Sequence, residues 1–144
     1  ITPEIEKGVG VEQNQAHTYD VFEHNLRSLQ HAADKDWDFE VRLAALFHDV
    51  GKPLTGKLRS SDGKWTFYDH EKVGSVLAAS ICRRLGVHEE TVAQVEWLVW
   101  NHMRVRRLDI MLSGKAAELR SHRWFPLLEI LRDADMEGRR STGE

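Results

Sequence analysis

One cysteine (Cys82), three prolines and two tyrosines are all that 144 residues hold of those types. A lone cysteine excludes an internal disulfide framework and points to a reducing cytoplasm. No apolar run approaches the ~20 residues a membrane span needs, and the opening ITPEIEKGVG lacks the h-region of a signal peptide. We therefore expect a cytoplasmic protein without a membrane partner. Repeats and low-complexity tracts are absent as well, so solenoids are excluded. The net charge of −3 removes any bulk electrostatic argument for nucleic acid. With 41% hydrophobic and 30% charged residues, the chain has the balance of an ordinary globular protein and the length for one core.

What the chain has in excess is histidine, eight in all. They are best placed on helices. The stretch to about residue 17 reads as extended or loop. Residues 20–34 read as a helix, with Asp20 and Glu23 in capping-box spacing and Phe22, Leu26, Leu29 and Ala33 at helical intervals. A second helix spans 39–50, with Leu43, Leu46, Phe47 and Val50 on one side, and Gly51 and Pro53 as its stop. Around Asp62-Gly63, residues 58–68 read as a hairpin or structured loop. Further helices are expected at about 70–85, 89–103, 109–120 and 124–136, and EGRRSTGE reads as a frayed tail or a cut end. The fold class is all-α, a helical bundle with one polar excursion between helices 2 and 3.

Helical phase sorts the polar residues. His70 shares a face with Val73, Leu77 and Ile81, and His102 with Val95, Leu98 and Val99, so both turn inward. Asp135 stacks over Leu131 and Leu128, whereas Asp133 falls beside Glu129. An inward carboxylate implies a positive partner. Adjacent His48 and Asp49 diverge by about 100° on a helix, so they must converge with ligands from elsewhere. His24 lies opposite the Phe22/Leu26/Leu29 stripe and faces a site only if its helix is buried on both sides. Taken singly, each of these histidines is an ordinary core or surface residue. Together, inward polar groups on separate helices call for a shared cation, and imidazole plus carboxylate is the donor set of a phosphate-polarising divalent metal.

The run His48-Asp49-Val50-Gly51-Lys52-Pro53, preceded by Leu43-Ala-Ala-Leu-Phe, resembles the signature of the HD metal-dependent phosphohydrolase superfamily. The closer similarity is to the HD domain of CCA-adding tRNA nucleotidyltransferases and poly(A) polymerases. It rests on Val11-x-Gln13 with His17 and Asp20-Val-Phe-Glu-His24, on Phe67-Tyr-Asp-His70-Glu-Lys-Val-Gly74, and on Ala134-Asp135 with Gly138-Arg139. The resemblance covers residues 3 to about 140 and implies a single HD domain over 1–144, either stand-alone or cut from a longer nucleotidyltransferase. It implies His24, His48, Asp49 and Asp135 as ligands of a divalent metal (Mg, Mn, Ni, Co or Fe), with Asp49 able to bridge two ions. It also implies that His70 and His102 complete a second site or touch the phosphate, and that Lys52 approaches the phosphate. No nucleotidyltransferase head is recognisable in the chain.

The activity expected from this is hydrolysis of phosphoesters, such as 2′,3′-cyclic nucleotides or RNA-end phosphodiesters. Asp49, Lys52, His70 and His102 would be the catalytic groups, and Lys52 with Arg104, Arg106 and Arg107 would bind phosphate. The partners are then a nucleotide or RNA phosphoester, with tRNA as a further candidate. The alternative is a non-catalytic HD module that helps a tRNA nucleotidyltransferase bind RNA or dimerise. Of the tryptophans, Trp37, Trp97, Trp100 and Trp124 read as packing residues, and Trp65 is the one placed to cover a substrate base.

Overall fold

The computed structural model describes residues 2–14 and 19–139, so His17 lies outside it. The opening stretch is not wholly extended. Pro3 starts a single helical turn, α1 (Pro3–Glu6), which buries Ile5. Helix α2 (Val21–Asp34) begins as its capping pattern dictates, with the Glu23 N–H donating to Asp20 Oδ1 at 2.8 Å. Its inner face is Val21, His24, Asn25, Ser28 and Ala32, and Leu26 is exposed. The expected Phe22/Leu26/Leu29 stripe is thus not the buried one. The helix lies between α3 and α8, where small side chains permit close contact. At the far end of that contact, a Cβ on Gly138 would meet Ser28 Oγ at 2.3 Å.

Helix α3 (Phe39–Phe47) ends at His48 rather than Val50. The chain then makes two turns, closed by Val50 N–H to Phe47 O (3.1 Å) and Lys52 N–H to Asp49 O (3.0 Å). Pro53 does not seal the helix before it. It sits in the first turn of the next one, α4 (Lys52–Thr55), where a missing N–H is harmless. Strands β1 (Lys57–Leu58) and β2 (Trp65–Thr66) pair antiparallel, so the excursion is a hairpin. Helices α5 (His70–Arg84) and α6 (Glu89–Asn101) follow, joined through Gly86 at φ +77°. In place of one helix over 109–120 there are a kinked 3-10 segment, Arg104–Ile110, and α7 (Ser113–Ser121). Helix α8 (Phe125–Glu137) closes the bundle. The presumed tail begins inside the fold, since Gly138 packs on α2 and Arg139 bonds Asp135.

The architecture is all-α with one small hairpin. Helix α5 packs along α6, and α3 packs on α2, α6 and α8. One apolar cluster gathers around Phe47, Ile81 and Val95, and another around Leu98, Leu128 and Leu131. Each such side chain contributes about 1.5–3 kcal/mol by leaving water. Trp100 is not a packing residue, being 43% exposed. Among the described residues no helix is long and apolar enough to cross a membrane.

Gly51 sits where the turn after Asp49 meets the start of α5. Its φ is −78°, so conformational freedom is not why it is there. A Cβ would fall 2.3 Å from His70 O and 2.7 Å from Gly74 N, so only glycine lets the turn after Asp49 rest on the start of α5. Gly51→Ala is expected to lower unfolding free energy by about 1–3 kcal/mol. Gly114→Ala, whose Cβ meets nothing within 4 Å, should be neutral or stabilising. Urea denaturation of both variants checks this, and equal stabilities would refute it.

Candidate metal centre

His48 and His102 directly follow the last residues of α3 and α6, and His70 opens α5. All three use the same local device. Each Nδ1–H donates to the carbonyl three residues back: His48 to Ala45 O (2.7 Å), His70 to Phe67 O (2.9 Å) and His102 to Val99 O (2.6 Å). That bond fixes ring orientation and tautomer, leaving the Nε2 lone pair directed inward. His24 reaches the same place from the inner face of α2, and Asp135 from α8.

Asp49 is common to both halves of the centre. Its Oδ2 lies 3.4 Å from His24 Nε2 and 3.3 Å from His48 Nε2, and its Oδ1 lies 3.1 Å from His70 Nε2 and 3.3 Å from His102 Nε2. Asp135 Oδ1 completes the first group, 3.0 Å from His24 Nε2 and 3.3 Å from His48 Nε2. The donors therefore form two sets, His24/His48/Asp49/Asp135 and Asp49/His70/His102, every member buried.

This arrangement fits a divalent ion. The Nε2 atoms of His24 and His48 are 3.0 Å apart, and those of His70 and His102 are 3.2 Å apart. Facing lone pairs repel at such distances unless a proton or cation lies between them. The donor separations match neighbouring ligands around an ion at about 2.1–2.4 Å. Electrostatics agrees. Burial pushes the His48 pKa down, but the charges of Asp49 and Asp135 outweigh it and raise it to about 10. Burial would raise Asp49, yet His48 and Lys52 hold its carboxyl well below the usual carboxylate range. Asp135 is also held low, against burial, by His48 and His24. Burial lowers His102, which stays neutral and available as a donor. Without an ion, then, the cluster keeps a proton where a cation belongs.

A cleft of about 370 Å³ opens on Asp49, His70 and Asp135, and its walls carry Lys52, Arg106, Arg107 and Arg139. Lys52 Nζ lies 3.2 Å from Asp49 Oδ2, and Arg139 lies 3.4 Å from both oxygens of Asp135. Burial and the neighbouring Arg139 press on the Arg106 charge, which Asp135 and Asp49 support. Clustered guanidiniums beside a centre of this kind suit an anion. Arg104 is elsewhere: it bonds Asn101 Oδ1 at 3.0 Å and does not line the cleft. Arg139 takes its place. It lies four residues past Asp135, in the turn just beyond the end of α8, and that i,i+4 spacing is the signal in the sequence. Asp133 is at the surface, its side chain 55% exposed and paired with His31.

A family model described as "HD domain" matches residues 21–136. The chain is 37% identical over 103 residues to the A-adding tRNA nucleotidyltransferase of Deinococcus radiodurans, covering 70% of this chain and 24% of that one. It is 38% identical over 106 residues to the CC-adding tRNA nucleotidyltransferase of Thermus thermophilus, with the same coverage of 70% and 24%. A bifunctional uridylyltransferase/uridylyl-removing enzyme of Vibrio atlanticus is 29% identical, covering 83% of this chain and 16% of that one. The chain thus spans about a quarter of the length of the first two relatives and less of the third.

Two outcomes are expected. Asp135→Ala should lose the manganese or nickel held by the first donor set, read as a lowered metal content by elemental analysis. Asp133→Ala should take up metal normally and change stability by no more than about 0.5 kcal/mol, and the reverse pattern would reassign the ligand. Because the metal displaces the His48 proton, its affinity should rise with pH from neutrality toward about 10. Calorimetry at pH 7 in buffers of different ionisation enthalpy should show roughly one proton released per ion bound in the first donor set. Uptake with no proton release would contradict the assignment.

Proposed function

The chain belongs to the HD-domain family, and from that premise we propose that it is a divalent-metal-dependent phosphohydrolase. The observation that carries this reading is the shared Asp49, whose oxygens face two sets of metal donors at the floor of a cleft walled by Lys52 and three arginines. Divalent ions held by His24, His48, Asp49 and Asp135, and by Asp49, His70 and His102, would supply Lewis acidity and a water that is nucleophilic at neutral pH.

The chain's own residues supply the rest. Arg106, Arg107 and Arg139 present planar N–H forks to phosphoryl oxygens, and Lys52 presents a point charge beside Asp49. The backbone bonds from His48, His70 and His102 hold the imidazoles in place, so little reorganisation accompanies the reaction. For the substrate we propose nucleotide or RNA phosphoesters, with 2′,3′-cyclic nucleotides and RNA-end phosphodiesters foremost. The tRNA named in two relatives and the uridylyl group removed by the third support that class. A second reading is favoured by coverage, since the chain matches only a quarter of two tRNA nucleotidyltransferases. In it the domain helps such an enzyme hold RNA and performs no chemistry of its own.

Hydrolysis of bis-(4-nitrophenyl) phosphate and of 2′,3′-cyclic AMP should require added manganese, nickel, cobalt or magnesium and stop with EDTA. Asp49→Asn should lower kcat by about 100-fold or more, the loss expected when several kcal/mol of metal stabilisation is removed. A folded, metal-loaded sample that turns over neither substrate would favour the RNA-holding module.

A further inference from the structure

A second cavity of about 350 Å³ adjoins the phosphate cleft, bounded by Lys52, Pro53, Trp65, Phe67 and the segment from Gly10 to Glu12. Lys52 and Phe67 line both cavities, so the two openings share a wall. Trp65 and Phe67 lie two residues apart, and their rings are nearly parallel, 22° between planes with centroids 6.5 Å apart. Neither ring belongs to either metal-donor set.

The aromatic wall is fixed in position. The side-chain amide of Asn14 pairs with the backbone of Trp65 in both directions, Nδ2–H to Trp65 O and Trp65 N–H to Oδ1, each at 2.9 Å. Gly56 leaves room for the Phe67 ring, since a Cβ there would lie 3.0 Å from its edge. Lys52 Nζ stands 5.2 Å from the Phe67 centroid while bonding Gln13 Oε1 and lying 3.2 Å from Asp49. One side chain therefore connects the metal centre to the aromatic wall.

We infer that this second cavity is the nucleobase subsite of the enzyme. The base would stack on Trp65 and Phe67, the ribose would cross the ridge made by Lys52 and Phe67, and the phosphate would lie at Asp49. This rests on the phosphohydrolase reading and adds what selects the substrate. The cleft recognises any phosphoester, and the aromatic pocket selects those carrying a planar base. Base–aromatic stacking tolerates all four bases, so selectivity is for nucleotides as a class.

The test compares kcat/KM for 2′,3′-cyclic AMP with that for methyl riboside 2,3-cyclic phosphate, which lacks a base, in the metal-loaded protein. The nucleotide preference should fall roughly tenfold in Trp65→Ala, within the range set by one stacked base, and largely return in Trp65→Phe. A separate readout does not depend on turnover. In protein labelled with 15N-tryptophan, the indole resonance missing from Trp65→Phe is that of Trp65. Adenosine 3′-monophosphate should shift it, and inorganic phosphate at the same concentration should not. An unmoved Trp65 resonance, or a preference unchanged in Trp65→Ala, would overturn the subsite. Absent turnover with a shifted Trp65 would sink the phosphohydrolase reading and keep the base site.

Discussion

Asp49 is 2% exposed, and its two oxygens face different pairs of imidazoles. A carboxylate at that depth costs several kcal/mol unless positive charge and hydrogen bonds surround it, and this requirement organises the molecule around it. Three helices and the start of a fourth deliver imidazoles to that one side chain: α2 brings His24, the ends of α3 and α6 bring His48 and His102, and α5 opens with His70, while Asp135 from α8 shares His24 and His48 with it. Lys52 adds its charge at Oδ2. Remove the carboxylate and the imidazoles lose their common partner.

Precision comes from short-range devices that tolerate little variation. Three histidines are locked by the carbonyl three residues earlier, so ring orientation is set by local backbone. The halves of the centre are brought together by a backbone-to-backbone approach, Gly51 against His70 O and Gly74 N. Gly138 does the same between α8 and α2. At the rim, Asp69 has φ +62° immediately before His70, a left-handed conformation that aspartate tolerates better than most residues. The apolar clusters on either side supply the stability that holds these close contacts in place.

Much of this was legible in the sequence. The helices, the hairpin at Asp62-Gly63 and the inward sense of His70, His102 and Asp135 follow from periodicity and from turn and stop residues, because burial and helical phase coincide there. Periodicity is a poor guide where a polar group is the thing being buried. On α2 an apolar stripe of Phe22, Leu26 and Leu29 looked like the core face, but His24 and Ser28 occupy it, and no periodicity scale anticipates a histidine held by a carboxylate from α8. Pro53 looked like a stop because it follows a helix, whereas it starts another. Adjacency in sequence groups Arg104 with Arg106 and Arg107. The 3-10 turn sends Arg104 away from Arg106 and Arg107, and Arg139 arrives from the turn after α8, far along the chain.

All of the proposed chemistry depends on a metal centre where the two donor sets meet at Asp49. Anomalous diffraction from crystals soaked in manganese tests it most directly. The expected result is a peak bonded to His24, His48, Asp49 and Asp135, with a second across Asp49 toward His70 and His102 as manganese is raised. Crystals that diffract well, with the six side chains placed as described and no anomalous peak beside Asp49, would contradict it.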